Sequence, residues 1–340
     1  MSKQTVRLTE QERANRFNSR FAQANRELTR LTSRGASNIA AVLRSFRTEI
    51  DERLAMFVVL PNAPFPQGVL PLIEDSIAQA VASLTQGAEA GIAQELTSAF
   101  DAGSRVTRDA FAAARVPLAA PQVTPELLTN LTALTGEILT DTFSALADQI
   151  IGRVRAGAIG LRPASATITE IEDLLRTGTI RRGVRIRIGP AFQAEQIART
   201  EIGRVFSSAQ QAASEQIAET IPGLKKKWVV TLGRRRGHRA VQESSAEDPI
   251  AISERFSVTD FSRIGRTSFI TKRVGGAQFV APTREPLTRR GRPVTDQMLH
   301  PRDPSASAGN VVNCTCITVD IAPDLEEAQQ RSMGIVTEEV

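Results

Sequence analysis

Along residues 5–60, apolar side chains recur at Phe17, Phe21, Ala24, Leu28, Leu31, Ile39, Val42, Phe46, Ile50 and Leu54. The steps of three and four trace one narrow helical stripe. Thr9, with Glu12 three residues on, reads as a capping box, and the helix must stop before the Pro-rich stretch from Pro61 to Pro71. Gly35 and Ser37 are the candidates for a break within it. A second stripe over about 71–115 uses Ile73, Ile77, Val81, Leu84, Ile92, Leu96 and Phe100, separated by Ala, Ser and Gly instead of charges. Small separators permit close approach, which predicts a helix buried in a bundle. A third helix starts at Thr124-Pro125, carries Leu127, Leu131, Leu134, Ile138, Leu146, Ile150 and Val154, and meets stop signals at Gly157 and Gly160. Shorter helices are predicted at 168–176 and 190–219.

After Pro222-Gly223 the helical stripes give way to β-branched and aromatic runs at 228–232, 268–271, 278–280, 311–312 and 317–319, separated by turns rich in Arg, Gly and Pro. The predicted fold class is mainly α with a smaller α+β domain: a long-helix N-terminal bundle over residues 1–180, a compact mixed domain over 181–322 that includes the 190–219 helix, and an acidic tail over 323–340.

The 340 residues are 41% apolar and 23% charged, an ordinary globular composition long enough for two domains. Apolar runs such as 56–60 fall far short of the roughly 18–20 residues of a membrane span, so none is expected. The opening Met1-Ser2-Lys3-Gln4-Thr5 lacks a secretory pattern and is read as cytoplasmic synthesis. Aromatics reach 4% with no Tyr and one Trp, too few for a platform that stacks single-stranded nucleic acid.

Charge changes the picture of the second half. Residues 180–310 hold 23 Lys+Arg against 12 Asp+Glu, so the rest of the chain is net negative although the whole carries +5. The cations cluster as Arg181-Arg182, Lys225-Lys226-Lys227, Arg234-Arg235-Arg236 and Arg289-Arg290-Gly291-Arg292. One such run is usually a solvated face; four in one domain point to a polyanion or an acidic protein surface.

Both histidines and both cysteines of the chain, His238, His300, Cys314 and Cys316, also fall there. Cys314 and Cys316 are too close for an easy disulfide. Two thiolates and two imidazoles suffice for tetrahedral zinc, against the alternative of buried structural cysteines, polar histidines and no cofactor. No Walker loop, dinucleotide fingerprint or catalytic triad stands out.

Arg199-Thr200-Glu201 on a helix, Trp228, an Arg-rich run ending in His238, then His300-Pro301-Arg302-Asp303-Pro304-Ser305 and Asn313-Cys314-Thr315-Cys316 follow in that order. Over about 190–322 this resembles the phage Mu F-like, or phage head morphogenesis, minor head protein family of tailed double-stranded DNA phages. The chain departs from that pattern in carrying Thr315 between the cysteines, where an Arg is common, and Arg239-Ala240-Val241-Gln242 after His238, where an Asp-Gly is usual. The resemblance implies a non-enzymatic minor component of the procapsid and virion, assembled in the host cytoplasm and associated with the portal protein and with capsid or scaffold proteins. Its motif residues would be Arg199, Thr200, Glu201, Trp228, His238, Asp303, Asn313, Cys314 and Cys316. The basic clusters would face the portal or packaged double-stranded DNA, gripping phosphates without sequence preference. The residues themselves suggest that Arg199 and Glu201 fasten helix to sheet through separate partners, or form an exposed pair. Two rival classes stay open: a metal-independent nuclease or toxin-like domain using His238, Arg236 and Glu243, and a helical, scaffold-like oligomer.

Overall fold

A computed structural model describes residues 8–160, 162–175, 179–181, 184–186, 190–230, 236–260, 269–274, 277–282, 294–306, 314–322, 324, 325 and 328. Among them, six α-helices dominate: α1 (Glu10–Ala55), α2 (Leu70–Ala113), α3 (Pro125–Ile159), α4 (Ala164–Leu175), α5 (Pro190–Thr220) and α6 (Arg236–Glu247). The strands are short: β1 (Thr179–Arg181), β2 (Val184–Ile186), β3 (Lys225–Val229), β4 (Ile250–Ala251), β5 (Phe256–Asp260), β6 (Phe269–Val274), β7 (Ala277–Pro282), β8 (Val294–Met298) and β9 (Ile317–Ile321). The protein is mainly α with a smaller α+β part.

The chain divides into two compact units that interleave in sequence. One contains residues 26–102 and 123–206, the other 1–25, 103–122 and 207–340. The borders fall within α1, α2 and α5.

The first unit is helical. α1 runs unbroken through Gly35 and Ser37, against the expectation of a break there. Gly35 is there for proximity: a Cβ on it would meet Ile202 Cδ1 of α5 at 2.3 Å. Asn38 Nδ2 donates to the Gly91 carbonyl at 2.7 Å, and Arg53 Nη1 to Ser76 Oγ at 3.2 Å, so α1 and α2 run antiparallel. A bidentate pair from Arg155 to Glu74, both bonds 2.7 Å, sets the end of α3 beside the start of α2. Gly157 lies inside α3, not at its end, because Thr167 of α4 sits where its side chain would be: a Cβ would fall 2.3 Å from Thr167 Oγ1. The Pro-rich loop is tied to the start of α4 by Ala164 N–H to the Ala63 carbonyl and Ser165 Oγ–H to the Pro61 carbonyl, at 2.8 and 2.9 Å.

In the second unit, the predicted capping box is formed: Thr9 N–H donates to Glu12 Oε2 at 2.8 Å, and Glu12 N–H to Thr9 Oγ1 at 3.2 Å. Phe17 of α1 stacks edge-on against Phe111 of α2. β3 is the centre of an antiparallel sheet ordered β4-β3-β9, with Lys226 opposite Asp320 and Trp228 opposite Thr318. β4 pairs only with Lys225 and Lys226. Beyond it α6 takes over the edge: Trp228 N–H donates to Ser245 Oγ at 2.9 Å and Val230 N–H to Gln242 Oε1 at 2.7 Å. This helix corrects the expectation that helical periodicity ends at residue 222. Two further pairs, β5 with β8 and β6 with β7, complete the strands of this unit, and β1 with β2 forms a separate pair. The predicted run at 311–312 lies outside the described residues, as does most of 323–340.

Candidate functional site

The core of the second unit gathers Trp228, Val241, Phe256, Val258, Met298, Cys314 and Cys316, all buried. Alternation along β3 turns Lys226 and Trp228 to the same inner side while Lys225 stays exposed. On α6, His238, Val241 and Ser245 fall on one buried face at helical spacing, with Glu243 exposed on the other. His238 is thereby carried onto the two cysteines that precede β9. Its Nδ1 lies 3.2 Å from Cys316 Sγ and 3.6 Å from Cys314 Sγ, and its ring meets Trp228 edge to face at 5.6 Å. These three residues could hold a metal ion: their ligand atoms lie within 4.8 Å of one another, and all three side chains are buried.

The electrostatics separate the two thiols. Burial opposes ionisation of Cys314, but hydrogen bonds from Cys316 and His238, together with the Arg302 charge, hold its thiol well below the usual range. Cys316 is pushed up by its bond to Cys314, by burial and by the charge of Cys314, with the Trp228 indole and Arg302 acting against the rise. Arg302 reaches over this site: its Nη1 is 3.3 Å from both Ser207 Oγ and the Cys316 carbonyl. Its backbone is left-handed, at φ 65°, a conformation that a non-glycine residue adopts at a cost of about 1–2 kcal/mol. The following residue fixes that turn. Asp303 accepts bonds from the amides of Leu299 and Ser305 and from Ser305 Oγ, at 2.8, 2.9 and 2.6 Å. Despite burial, those bonds hold its carboxyl below the ordinary value.

His300 does not join the sulfur cluster, which corrects the four-ligand expectation. Its Nδ1 lies 2.9 Å from the Pro301 carbonyl, where the ring donates, leaving Nε2 to accept from Ser208 Oγ–H at 3.2 Å. Burial pushes its pKa down to about 4, so the ring is neutral.

Helix and sheet are fastened further along α5 than the residues anticipated for that role. Arg199 is half-buried, and Glu201, buried, pairs along the helix with Arg204. The fastening comes from Gln210 Nε2 to the Thr318 carbonyl at 3.0 Å, Gln211 Nε2 to the Ile252 carbonyl at 2.7 Å, and Ser214 Oγ to Asp320 at 2.6 Å. Asp320 also accepts from Thr107 Oγ1 at 2.5 Å. Burial raises its carboxyl, an effect the two hydroxyls and Lys226 oppose.

The basic clusters fare unevenly. Lys225 is exposed and Lys227 half-buried, but Lys226 is 1% exposed and cannot serve a portal or DNA surface. Its Nζ donates to the Leu299 carbonyl at 2.7 Å and to Gln211 Oε1 at 3.1 Å, over the Phe256 ring. Burial lowers its pKa to about 8. Arg182, Arg234, Arg235, Arg289, Arg290, Arg292 and Asn313 lie outside the described residues, as do the side chains of Arg181 and Arg236.

No family model, curated protein or solved structure matches this chain. No helix among the described residues is long and apolar enough to cross a membrane.

Proposed function

We propose that this protein is a minor head protein of a tailed double-stranded DNA phage, an assembly component of the procapsid that docks on the portal vertex. The observation that carries the proposal is where the motif side chains sit. Trp228, His238, Asp303, Cys314 and Cys316 are each at most 5% exposed and build an interior. Residues that shape a docking module belong there, whereas a general acid or base must reach the proton it transfers. His238 and Glu243, the pair a nuclease would use, occupy opposite faces of α6. The module performs no turnover and needs no cofactor for chemistry. Zinc at His238, Cys314 and Cys316 would serve it structurally, by joining α6 to the segment before β9.

The helical unit supplies a surface for a protein partner. Met56, Val59, Leu60, Leu72 and Ile159 are 58–77% exposed. The antiparallel order brings the end of α1, the start of α2 and the end of α3 to one end of that unit. Residues 54–73 hold no charged side chain, and the neighbouring cations Arg53, Arg155 and Arg162 are each paired within the chain, to Glu49, Glu74 and Glu170. Exposed apolar side chains gathered at one end of a unit favour a protein partner there. In the other unit, Lys225, exposed, and Lys227, half-buried, would lie against an acidic portal surface or DNA phosphates.

The test is co-expression with the portal protein of the same genome. The two are expected to co-purify, and a Val59→Asp/Leu60→Asp variant with an unchanged circular dichroism spectrum should not. Failure of the wild type to associate with the portal or to enter procapsids overturns the proposal. DNA binding is read separately by gel shift at ~50 mM salt, where phosphate contacts are strongest; its absence assigns the basic face to protein.

A further inference from the structure

We infer that His238, Cys314 and Cys316 bind one thiophilic metal ion, through Nδ1 and two thiolate sulfurs, and that this ion is part of the folded core of the second unit. The inference does not depend on the phage-head reading.

Three features carry it. The first is convergence. One ring nitrogen lies 3.2 and 3.6 Å from two sulfurs, and a tetrahedral ion with bonds of about 2.0–2.1 Å to nitrogen and about 2.3 Å to sulfur sets such atoms about 3.5 Å apart. A single hydrogen on Nδ1, or a single lone pair there, satisfies one sulfur well, whereas an ion between them satisfies all three donors.

The second is the role of a sulfur as acceptor. The Cys316 amide N–H points at Cys314 Sγ at 3.4 Å. N–H groups directed at sulfur are the outer-shell support of a metal thiolate. The third is charge. Both sulfurs are buried, and two thiolates ligating there need a positive charge in direct contact. A divalent ion neutralises the pair.

The donor set of one imidazole and two thiolates selects zinc, or copper(I), over calcium, magnesium or manganese, which take oxygen ligands. His238, Cys314 and Cys316 are the three donors among the described residues that converge. Binding displaces the protons still held by the two thiols to solvent, and no electron moves.

The experiment uses the full chain, stripped with chelator under reducing conditions and then offered zinc in excess. The expected result is one equivalent of zinc retained after desalting. With cobalt(II) as the probe, the expected spectrum has a near-ultraviolet sulfur-to-metal charge-transfer band and the intense visible bands of a tetrahedral ion. Cys314→Ser and His238→Gln should each weaken retention at least tenfold, while His300→Gln should leave it unchanged. Because the cysteine variants can unfold, the wild type decides. A folded wild-type chain that retains less than a tenth of an equivalent of zinc and shows no sulfur-to-cobalt band overturns the inference. So does full retention by the doubly substituted Cys314→Ser/Cys316→Ser chain. Portal association is not read in any arm, so failure here is distinguishable from failure of the proposed function.

Discussion

Lys226 makes the alkaline limb of stability a direct report on the core of the second unit. Its ammonium is desolvated on the central strand, among Asp320, Glu215, Asp303 and Arg255, and its folded pKa is about 8 where an unfolded lysine titrates at 10.5. Between those values the unfolded chain binds the proton that the folded chain has released. Stability therefore rises with pH across that window. At 1.36 kcal/mol per pH unit, the interval from about 8 to 10.5 amounts to about 3 kcal/mol. In Lys226→Met the aliphatic stem remains and the titration is gone, leaving the Leu299 carbonyl and Gln211 Oε1 without their donor at every pH. The quantity to measure is the difference in unfolding free energy between wild type and variant, from urea curves at pH 7 to 10.5, followed by fluorescence of the single tryptophan, which sits two residues away in the same core. The chain has no tyrosine and only five lysines, so little else titrates there, and contributions of Cys314 and Cys316 common to both proteins cancel in the difference. The wild type should gain on the variant by about 3 kcal/mol between pH 8 and 10.5. A difference that stays flat refutes the buried-ammonium argument.

Three further outcomes are expected. His300, held neutral with a pKa near 4, takes up its proton in the unfolded chain from pH 6.5 downward, so stability should fall from pH 6.5 to about 4; in His300→Gln the loss should be smaller by up to about 3 kcal/mol, and equal losses in acid urea titrations would remove the claim. Thr107→Val and Ser214→Ala each delete a hydroxyl donor to Asp320, at about 1–3 kcal/mol apiece; because they share one buried acceptor, the double variant should depart from additivity by more than about 0.5 kcal/mol, and strict additivity argues against a common network. Gly157→Ala should destabilise by about 1–2 kcal/mol, since a Cβ 2.3 Å from Thr167 Oγ1 outweighs the gain of about 1 kcal/mol in helix propensity; Thr167→Ala in the same chain should restore part of it in thermal melts, and a single variant as stable as wild type would show that α3 and α4 do not meet there.

The long helices were legible because each buries one stripe against a neighbour, and a stripe is periodic. Thr9–Glu12 and Thr124-Pro125 were legible for the same local reason: caps act within one turn. Breaks and stops were harder, since Gly35 and Gly157 look like interruptions yet mark where Ile202 and Thr167 come close. That information belongs to the neighbour and is absent from the helix's own sequence. α6 escaped detection because its buried face uses His238, Val241 and Ser245 where an apolar stripe was sought. The cysteines and His238 were identifiable by residue type, but nothing local says that His300, also near in sequence, turns to Ser208 instead.

The fastening of α5 to the sheet shows what a better reading would use. From Val205 to Ser214 the helix carries Ser, Ser, Gln, Gln and Ser, a pattern that looks solvent-facing, yet it is almost wholly buried. The signal is that these ten positions hold polar groups and no charge. A hydroxyl or amide can be buried once its hydrogen bonds are met, whereas an ion resists burial unless paired. A polar but uncharged helical window is thus the mark of a helix that supplies donors to a sheet it lies on. Residues 54–73, also uncharged, come out the other way, with Met56, Val59, Leu60 and Leu72 in water. The difference lies in Pro61, Pro64 and Pro66, which cannot donate to a helix or a ladder and stand in the connection between α1 and α2, with Leu72 exposed on the first turn of α2. The absence of charge says only that a segment avoids water's strongest ligands; whether its own chain or another protein provides the cover depends on whether its backbone can join an element, and at the end of α1 it cannot.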